Sequence, residues 1–402
     1  MGVFMLSQRI LKINPSITVD LTDKLEKLQR AGVDIVKLNI GEPDFDTPQN
    51  IIDAAKKALD NGYTRYTAVS GSLDLREVIC RKLIKDNNLK YTHDEIIVTT
   101  GAKQALVNAL LTLCSQGDEV ILITPCWVSY IEMIKLSEAV PVIVELDSNQ
   151  GFKLDIDKIK KVITKRTKAI LINTPNNPTG AVYEKDELNE LCKLAVKNNF
   201  YIISDEIYEK FVYDGAKHYS IASLSDEIKQ RTITVNGFSK TYAMTGWRLG
   251  YAAGNKNIIR AMNNLQGHMT SGANSIAQKA AIEALLGSQN KVSMMVEKYQ
   301  KRRIYLLNRL NNIDGLDCSN SKGAFYLMPN ISKLYGKTFR GRYIKDSMGF
   351  VDFLLEEAQV AVVPGIAFHS PNTIRIAYCN SLENIKKGID KIEKILNENT
   401  NI

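Results

Sequence analysis

Residues Thr234–Ala252 read T-V-N-G-F-S-K-T-Y-A-M-T-G-W-R-L-G-Y-A. A β-rich run, Thr232–Asn236, gives way to two small residues, Gly237 and Ser239, that flank Phe238. Lys240 comes next, and Arg248 stands eight residues later, ahead of a second β-rich run, Leu249–Ala253. A lysine on a tight Gly/Ser turn behind a strand has little freedom. A nearby arginine lowers its proton affinity and favours the free amine, the form that attacks carbonyls. A surface lysine on a loop would carry the same letters, so the segment has to be read with the strands around it.

Five more β-rich runs precede it: Ile96–Thr100, Val120–Thr124, Val142–Leu146, Ala169–Asn173 and Tyr201–Ser204. Helical patterns near 49–60, 73–86, 102–115, 128–138, 184–198 and 256–286 alternate with them. Several runs are apolar at every position, as a strand covered on both faces must be. The alternation predicts an α/β fold with a mostly parallel sheet between helix layers. Upstream, Leu21, Leu25 and Leu28 share a helical stripe that Gly32 ends, and Ile35–Asn39 reads as a strand running to Gly41. Beyond about 290 the texture changes. A long helix, Val292–Leu310, leads to short strands at Ala324–Met328, Val360–Val363 and Thr373–Tyr378. A last helix follows, capped by Ser381, with Ile385, Ile389 and Ile392 on one face. The expected division is a large domain over 49–289, a smaller α+β domain over 290–402, and an arm with part of the small domain over 1–48.

Three other strand ends carry polar residues. Ala169–Gly180, A-I-L-I-N-T-P-N-N-P-T-G, puts Asn177 beyond a buried strand, although turn chemistry alone explains such letters. Tyr201–Tyr208, Y-I-I-S-D-E-I-Y, closes on Asp205 with Tyr208 three residues on; an acid there also commonly caps a helix. Ile96–Leu106, I-I-V-T-T-G-A-K-Q-A-L, runs from strand through Gly101 into a helix N-terminus, whose free N–H groups and dipole suit a phosphate. The glycine spacing is neither G-x-G-x-x-G nor a P-loop, so a dinucleotide is not indicated. The carboxyl edge of an α/β sheet is where ligands bind. A phosphate cradle, an acid, an Asn, a Tyr and a Lys with an Arg together suit an anionic pyridine aldehyde, pyridoxal 5'-phosphate.

The 402 residues, 45% hydrophobic and 24% charged, have the composition of a globular enzyme. The net charge of +8 is spread among interleaved acids and bases, which argues against nucleic acid and for a cleft that takes small anions. No apolar run is long enough to span a membrane. The first ten residues show no secretory leader pattern. The six cysteines form no C-x-x-C pair and the four histidines no H-E-x-x-H, so no metal site is expected, and the thiols fit a reduced, cytoplasmic setting.

The chain resembles the class I aminotransferases of the pyridoxal-phosphate fold-type I superfamily along essentially its whole length. The motifs are G-F-S-K-T-Y-A-M-T-G-W-R-L-G (237–250), N-N-P-T-G (176–180), S-D-E-I-Y (204–208), G-E-P-D-F (41–45), P-C-W-V-S-Y (125–130) and I-R-I-A-Y (374–378). It looks most like the bacterial and archaeal aspartate aminotransferase branch, which implies ping-pong amino transfer from L-aspartate to 2-oxoglutarate.

The resemblance implies that Lys240 holds the cofactor as a Schiff base and then serves as the general base. Asp205 pairs with the pyridine nitrogen, and Asn177 and Tyr208 bond the ring's phenolic oxygen. Trp127 stacks on the ring. Gly101, Ala102, Lys103, Ser239 and Arg248 belong to the cofactor site, and Tyr66 reaches the phosphate of a neighbouring subunit in a homodimer. Arg375 clamps the substrate α-carboxylate, with Gly41, Trp127 and Asn177 around the substrate. Lys103, assisted by Ser16 and Thr18, meets the distal carboxylate, although Lys103 as a phosphate counter-charge stays open. The same surroundings also serve aromatic, alanine and prephenate transaminases and C–S lyases. Relatives that take prephenate carry a basic residue where this chain has Asn14. His369–Pro371 departs from the family's Gly-containing turn, and the basic, aromatic stretch 332–348 has no assigned role.

Overall fold

The computed structural model describes residues 6–15 and 17–398, apart from the side chains of 17–20 and 22. Seven strands form one sheet: β1 (Ile96–Thr99), β2 (Glu119–Thr124), β3 (Val140–Glu145), β4 (Thr167–Asn173), β5 (Tyr201–Asp205), β6 (Thr232–Gly237) and β7 (Gly250–Ala253). Their order across the sheet is β1-β7-β6-β5-β4-β2-β3. All neighbours run parallel except β7, which is antiparallel to both β1 and β6.

Strand periodicity explains the two helix layers. Ile121, Ile123, Ile170, Ile172 and Ile202 share one core with Leu188, Leu191 and Ala195. The intervening Val120, Leu122, Ala169, Leu171 and Ile203 share another with Ala105, Leu106 and Ala109. Successive side chains point to opposite faces, so a strand covered twice has to be apolar throughout. The helices that matter below are α1 (Leu73–Asn87), α2 (Gly101–Leu113), α3 (Ser129–Leu136), α4 (Lys185–Asn198), α5 (Lys256–Met269), α6 (Asn290–Asn311) and α7 (Leu382–Asn397). Among the described residues no helix is long and apolar enough to cross a membrane.

The stretch 256–286 is two helices rather than one: α5 ends at Met269 and a second helix begins at Ser275. Ser271 takes a left-handed φ of 59°, and the Asn274 side chain accepts from Ala277 N at 2.9 Å to start the new helix. The Ser381 hydroxyl caps α7 by accepting from Asn384 N at 3.1 Å, as its sequence predicts.

The N-terminal and C-terminal segments meet. Val36–Lys37 pairs in parallel with Val360–Ala361, and Leu38 O accepts from Ala377 N at 2.8 Å. A three-stranded antiparallel sheet follows from β8 (Tyr326–Leu327), β9 (Val363–Pro364) and β10 (Ile374–Ala377), in the order β9-β10-β8. These strands are shorter than the sequence pattern suggested.

Just after Asp205 in the chain, Glu206 and Glu209 enter a buried polar cluster. Lys82 and Asn87 of α1 bond the Glu209 carboxylate, with Lys82 Nζ also 2.7 Å from Asn87 Oδ1. Beside it, Glu206 Oε1 accepts from the hydroxyls of Ser204 at 2.8 Å and Ser220 at 2.9 Å, and Oε2 meets His218 Nε2 at 3.0 Å. Every oxygen of these two buried acids thus finds a donor, as burial demands.

Candidate active site

The carboxyl ends of β1, β2, β4, β5 and β6 open on one cleft of about 570 Å³. Its outer wall comes from residues 39–42 and from β8, β9 and β10.

One end is shaped for an anion. Gly101 begins α2 at a φ of +77°, which an L side chain rarely adopts; a Cβ there would lie 2.7 Å from Arg248 Nη2. A Cβ on Gly250 would come within 2.4 Å of Ala102 N. The two glycines let β7 and the Arg248 guanidinium close on the first turn of a 13-residue helix, where N–H groups and dipole favour negative charge. Arg248 Nη1 donates to Thr245 O at 2.8 Å. Lys103 Nζ lies 4.8 Å from the centre of the Trp127 ring. Burial, and then the Arg248 charge, lower the proton affinity of Lys103.

The middle holds an acid and an amine. Asp205 Oδ2 accepts from the Tyr130 hydroxyl at 2.7 Å and Oδ1 from Ile207 N at 3.1 Å. Burial raises the carboxyl to about 6; those two bonds pull against the rise. Lys240 Nζ donates to Gly41 O at 2.6 Å. Burial lowers its pKa to about 8, from an ordinary value near 10.4. Covalent labelling of the cofactor-free chain by a small aldehyde, trapped with borohydride, should therefore accelerate as pH rises through about 8 and level off above it. Peptide mapping should find the label on Lys240; a rise centred two units higher would refute the depressed value.

The cleft also holds a buried arginine. Arg375 of β10 is buried, with Nη2 donating to Asn39 O at 2.7 Å and Nη1 to Asn177 Oδ1 at 3.1 Å. Its guanidinium lies 4.6 Å from the Tyr326 ring centre and 4.9 Å from that of Phe368. Among the described residues its Nε has no hydrogen-bond partner. The hydroxyls of Tyr208 and Tyr326 share a hydrogen bond of 2.9 Å. Asn173 fixes two neighbours: Nδ2 donates to Asp205 O at 2.9 Å, and Oδ1 accepts from Asn177 N at 2.8 Å.

The residues expected from sequence divide clearly. Gly41, Ala102, Lys103, Trp127, Asn177, Asp205, Tyr208, Ser239, Lys240, Arg248 and Arg375 all line this cleft, and Gly101 abuts it against Arg248. Tyr66 does not: it is 94% exposed and sits in a separate surface hollow beside Gly272 and Ser275. Ser16 lies outside the described residues, and Thr18 lies in the helix Ile17–Arg30 with its side chain outside them. Sequence reading passed over Asn39, Tyr130, Asn173, Tyr326 and Phe368, which complete the walls. Tyr130 stood inside P-C-W-V-S-Y and Asn173 directly before the T-P-N-N-P turn, so both adjoined recognised motifs. Tyr326 and Phe368 had no local signal.

Residues 33–392 match the family described as Aminotransferase class I and II. An aspartate aminotransferase from Bacillus sp. (strain YM-2) is 45% identical over 98% of this chain and 99% of its own length. The solved aspartate aminotransferase of Rhizobium meliloti superposes with a TM-score of 0.95 at 40% identity, covering 98% of this chain and 99% of the other. That of Thermus thermophilus, solved with maleate, gives 0.92 at 41% identity over 98% and 100%. With the amine, the buried acid, the glycine-lined helix start and the buried arginine in one cleft, this agreement along nearly the whole length makes the chain a member of the class I and II aminotransferase family.

Proposed function

We propose that the chain is a pyridoxal-phosphate-dependent aspartate aminotransferase, which moves the amino group of L-aspartate to 2-oxoglutarate and gives oxaloacetate and L-glutamate. The observation that carries this reading is the placement of three groups in one cleft: Lys240 between Asp205 and Gly41, Arg375 at one end and Lys103 at the other. Relatives named aspartate aminotransferase support it, and maleate, with which the Thermus enzyme was solved, is likewise a four-carbon dicarboxylate.

The residues fit that cofactor. Gly101 and Gly250 leave a cradle that a Cβ would fill, and Asp205 is a buried carboxylate directed into the cleft. Gly101, Ala102, Lys103, Ser239 and Arg248 would hold its phosphate end, Trp127 its ring face, Asp205 its ring nitrogen, and Asn177 and Tyr208 its phenolic oxygen. When bound, pyridoxal phosphate supplies a sink for the electron pair left at the substrate Cα.

The chain's own residues do the rest. Arg375 takes the α-carboxylate with parallel N–H donors, a geometry a lysine lacks. Its existing bonds to Asn39 O and Asn177 hold the guanidinium before substrate arrives, so the orientation is fixed in advance. Gly41 leaves room there: a Cβ would lie 2.6 Å from the Tyr326 hydroxyl. The Lys240 amine, with its pKa at about 8, is free in part at neutral pH and can take the α-proton and return it. Asp205, with its carboxyl at about 6, is ionised at neutral pH and can keep a proton on a facing nitrogen. Lys103 supplies the charge for a distal carboxylate, with Ser16 and Thr18 assisting. We further propose a homodimer with Tyr66 serving the other subunit's site, a division at 48 and 289 into a cofactor domain and a second lobe, and a cytoplasmic location. The exposure of Tyr66, the pairing of Val36 with Val360 and the free cysteines support these readings in turn.

Arg375→Lys should lower kcat/KM for aspartate about 10–100-fold, the value of one lost charge-assisted bond; steady-state kinetics with an unchanged value would count against the clamp. The test of the function is a panel of amino donors and 2-oxo acids, followed by the cofactor's absorbance. Aspartate should bleach the aldehyde-form band and release oxaloacetate. Failure with both dicarboxylates, or pyruvate and ammonia from cystathionine, would overturn the reading. In Lys103→Ala the preference for aspartate over alanine should shrink; an undiminished preference would assign Lys103 to the phosphate alone.

A further inference from the structure

The environment of Asp205 contains a group that none of the roles above uses. Tyr130 sits in the first turn of α3, 1% exposed, and its hydroxyl donates to Asp205 Oδ2 at 2.7 Å. The same ring meets Trp127 edge-on, with centroids 5.4 Å apart and planes at 89°. One side chain therefore touches both the acid at the end of β5 and the aromatic residue at the end of β2.

We infer that Tyr130 is a positioning residue of the proposed reaction: its hydroxyl holds Asp205 in the ionised form and in the orientation that keeps the cofactor's ring nitrogen protonated. The inference rests on the pyridoxal-phosphate reading above.

Competing forces act on this buried acid. Burial disfavours charge on Asp205, and Glu206, the next residue in the chain, adds a like charge. Three things oppose them: the Tyr130 hydroxyl, the Ile207 N–H and the Lys240 ammonium. Tyr208 is the other titratable group facing the acid, and Cys126 faces Tyr130 from the strand-to-helix turn. The Ile207 N–H belongs to the local turn after β5 and survives any side-chain change. Lys240 is committed to the reacting carbon. The Tyr130 bond is the contribution supplied for this purpose by another element. A hydroxyl that donates to a carboxylate favours its charged form, so removing it raises the carboxyl's proton affinity. Tyr130 itself stays protonated, because burial first and the Asp205 charge next push its own pKa well above the ordinary phenol value. It is a permanent donor.

The test is Tyr130→Phe, which keeps the ring against Trp127 and removes only the hydroxyl. Pyridoxal-phosphate affinity, measured by the quench of protein fluorescence, and the cofactor's absorbance are followed from pH 5 to 9 in the wild type and the variant. Affinity in the wild type should fall on the acid side, as Asp205 takes up a proton. In the variant that fall should begin about one to two pH units higher, with affinity at pH 7 lower by about 10-fold or more. Tyr130→Leu should add a loss of the Trp127 contact and a lower melting temperature. An acid limb that stays in place in Tyr130→Phe would overturn the assignment even if the melting temperature drops, because that pattern is packing alone. A wild type that takes up no pyridoxal phosphate would instead overturn the reading beneath it, and the inference with it.

Discussion

Lys240→Ala should lower turnover with aspartate by about 10⁴-fold, the upper range for a positioned general base. The amine has no substitute nearby. Lys103 is placed over Trp127, and the Tyr208 hydroxyl is engaged with Tyr326. The substrate clamp and the anion cradle do not involve Lys240, so the variant should still take up cofactor, seen as a shifted absorbance band. A small primary amine in solution should restore part of the rate by replacing the lost base. Lys240→Arg should be as inactive as Lys240→Ala, since a guanidinium cannot accept the proton. Turnover near the wild-type value in either variant would refute the role of Lys240.

The second large effect concerns stability. Burial alone would raise the Glu209 carboxyl; the ammonium of Lys82, followed by the charges of His218 and Lys210, overrides it and holds the group at about 2. Lys82→Met removes the nearest cation and leaves a carboxylate hydrogen-bonded to Asn87 alone, in surroundings that include Tyr242 and Tyr251. Breaking a buried pair from one side costs about 3–5 kcal/mol. The variant should therefore unfold at a clearly lower urea midpoint. The double variant Lys82→Met/Glu209→Leu should recover much of the loss, because no buried charge remains. The pH dependence gives an independent check. A carboxyl depressed below its unfolded value of about 4.3 contributes stability that is complete above that pH and is lost as pH falls towards 2. In Lys82→Met the carboxyl should rise above its unfolded value instead, so the gap between variant and wild type should narrow on acidification. A gap that widens below pH 4 would refute this account.

The parts of the molecule legible in the sequence are those where one physical requirement dominates. Strands such as I-L-I-N and Y-I-I-S-D declare themselves because a twice-covered strand must be apolar at every step, and their polar last residues stand out against that background. Lys240, Asp205 and Asn177 were visible for this reason. Ser381 was visible because a cap is local chemistry. Where the requirement is set by distant segments, the letters carry no trace of it. Tyr326 lies in the two-residue strand β8, too short for any periodicity, yet it meets Tyr208, Gly41 and Arg375. Phe368 lies in a short turn and packs under the Arg375 guanidinium. The break at 270–274 was missed for the opposite reason: the apolar spacing of α5 carries on into the next helix and masked the T-S-G-A-N turn. β7 looked like its parallel neighbours because reversing a buried strand leaves its composition unchanged.

The Arg375 guanidinium joins Asn39, 336 residues away in the chain, with Asn177, 198 residues away. On a ribosome, which delivers the chain from its N-terminus, the strand ending at Asp205 and the turn carrying Lys240 emerge well before β10 does. The half of the cleft that would hold the cofactor can thus take shape while the half that would select the substrate is still untranslated. Long loop closures of this kind are slow. Arg375 is thus translated well after the residues that would hold the cofactor, and a chain halted before residue 375 would lack it altogether.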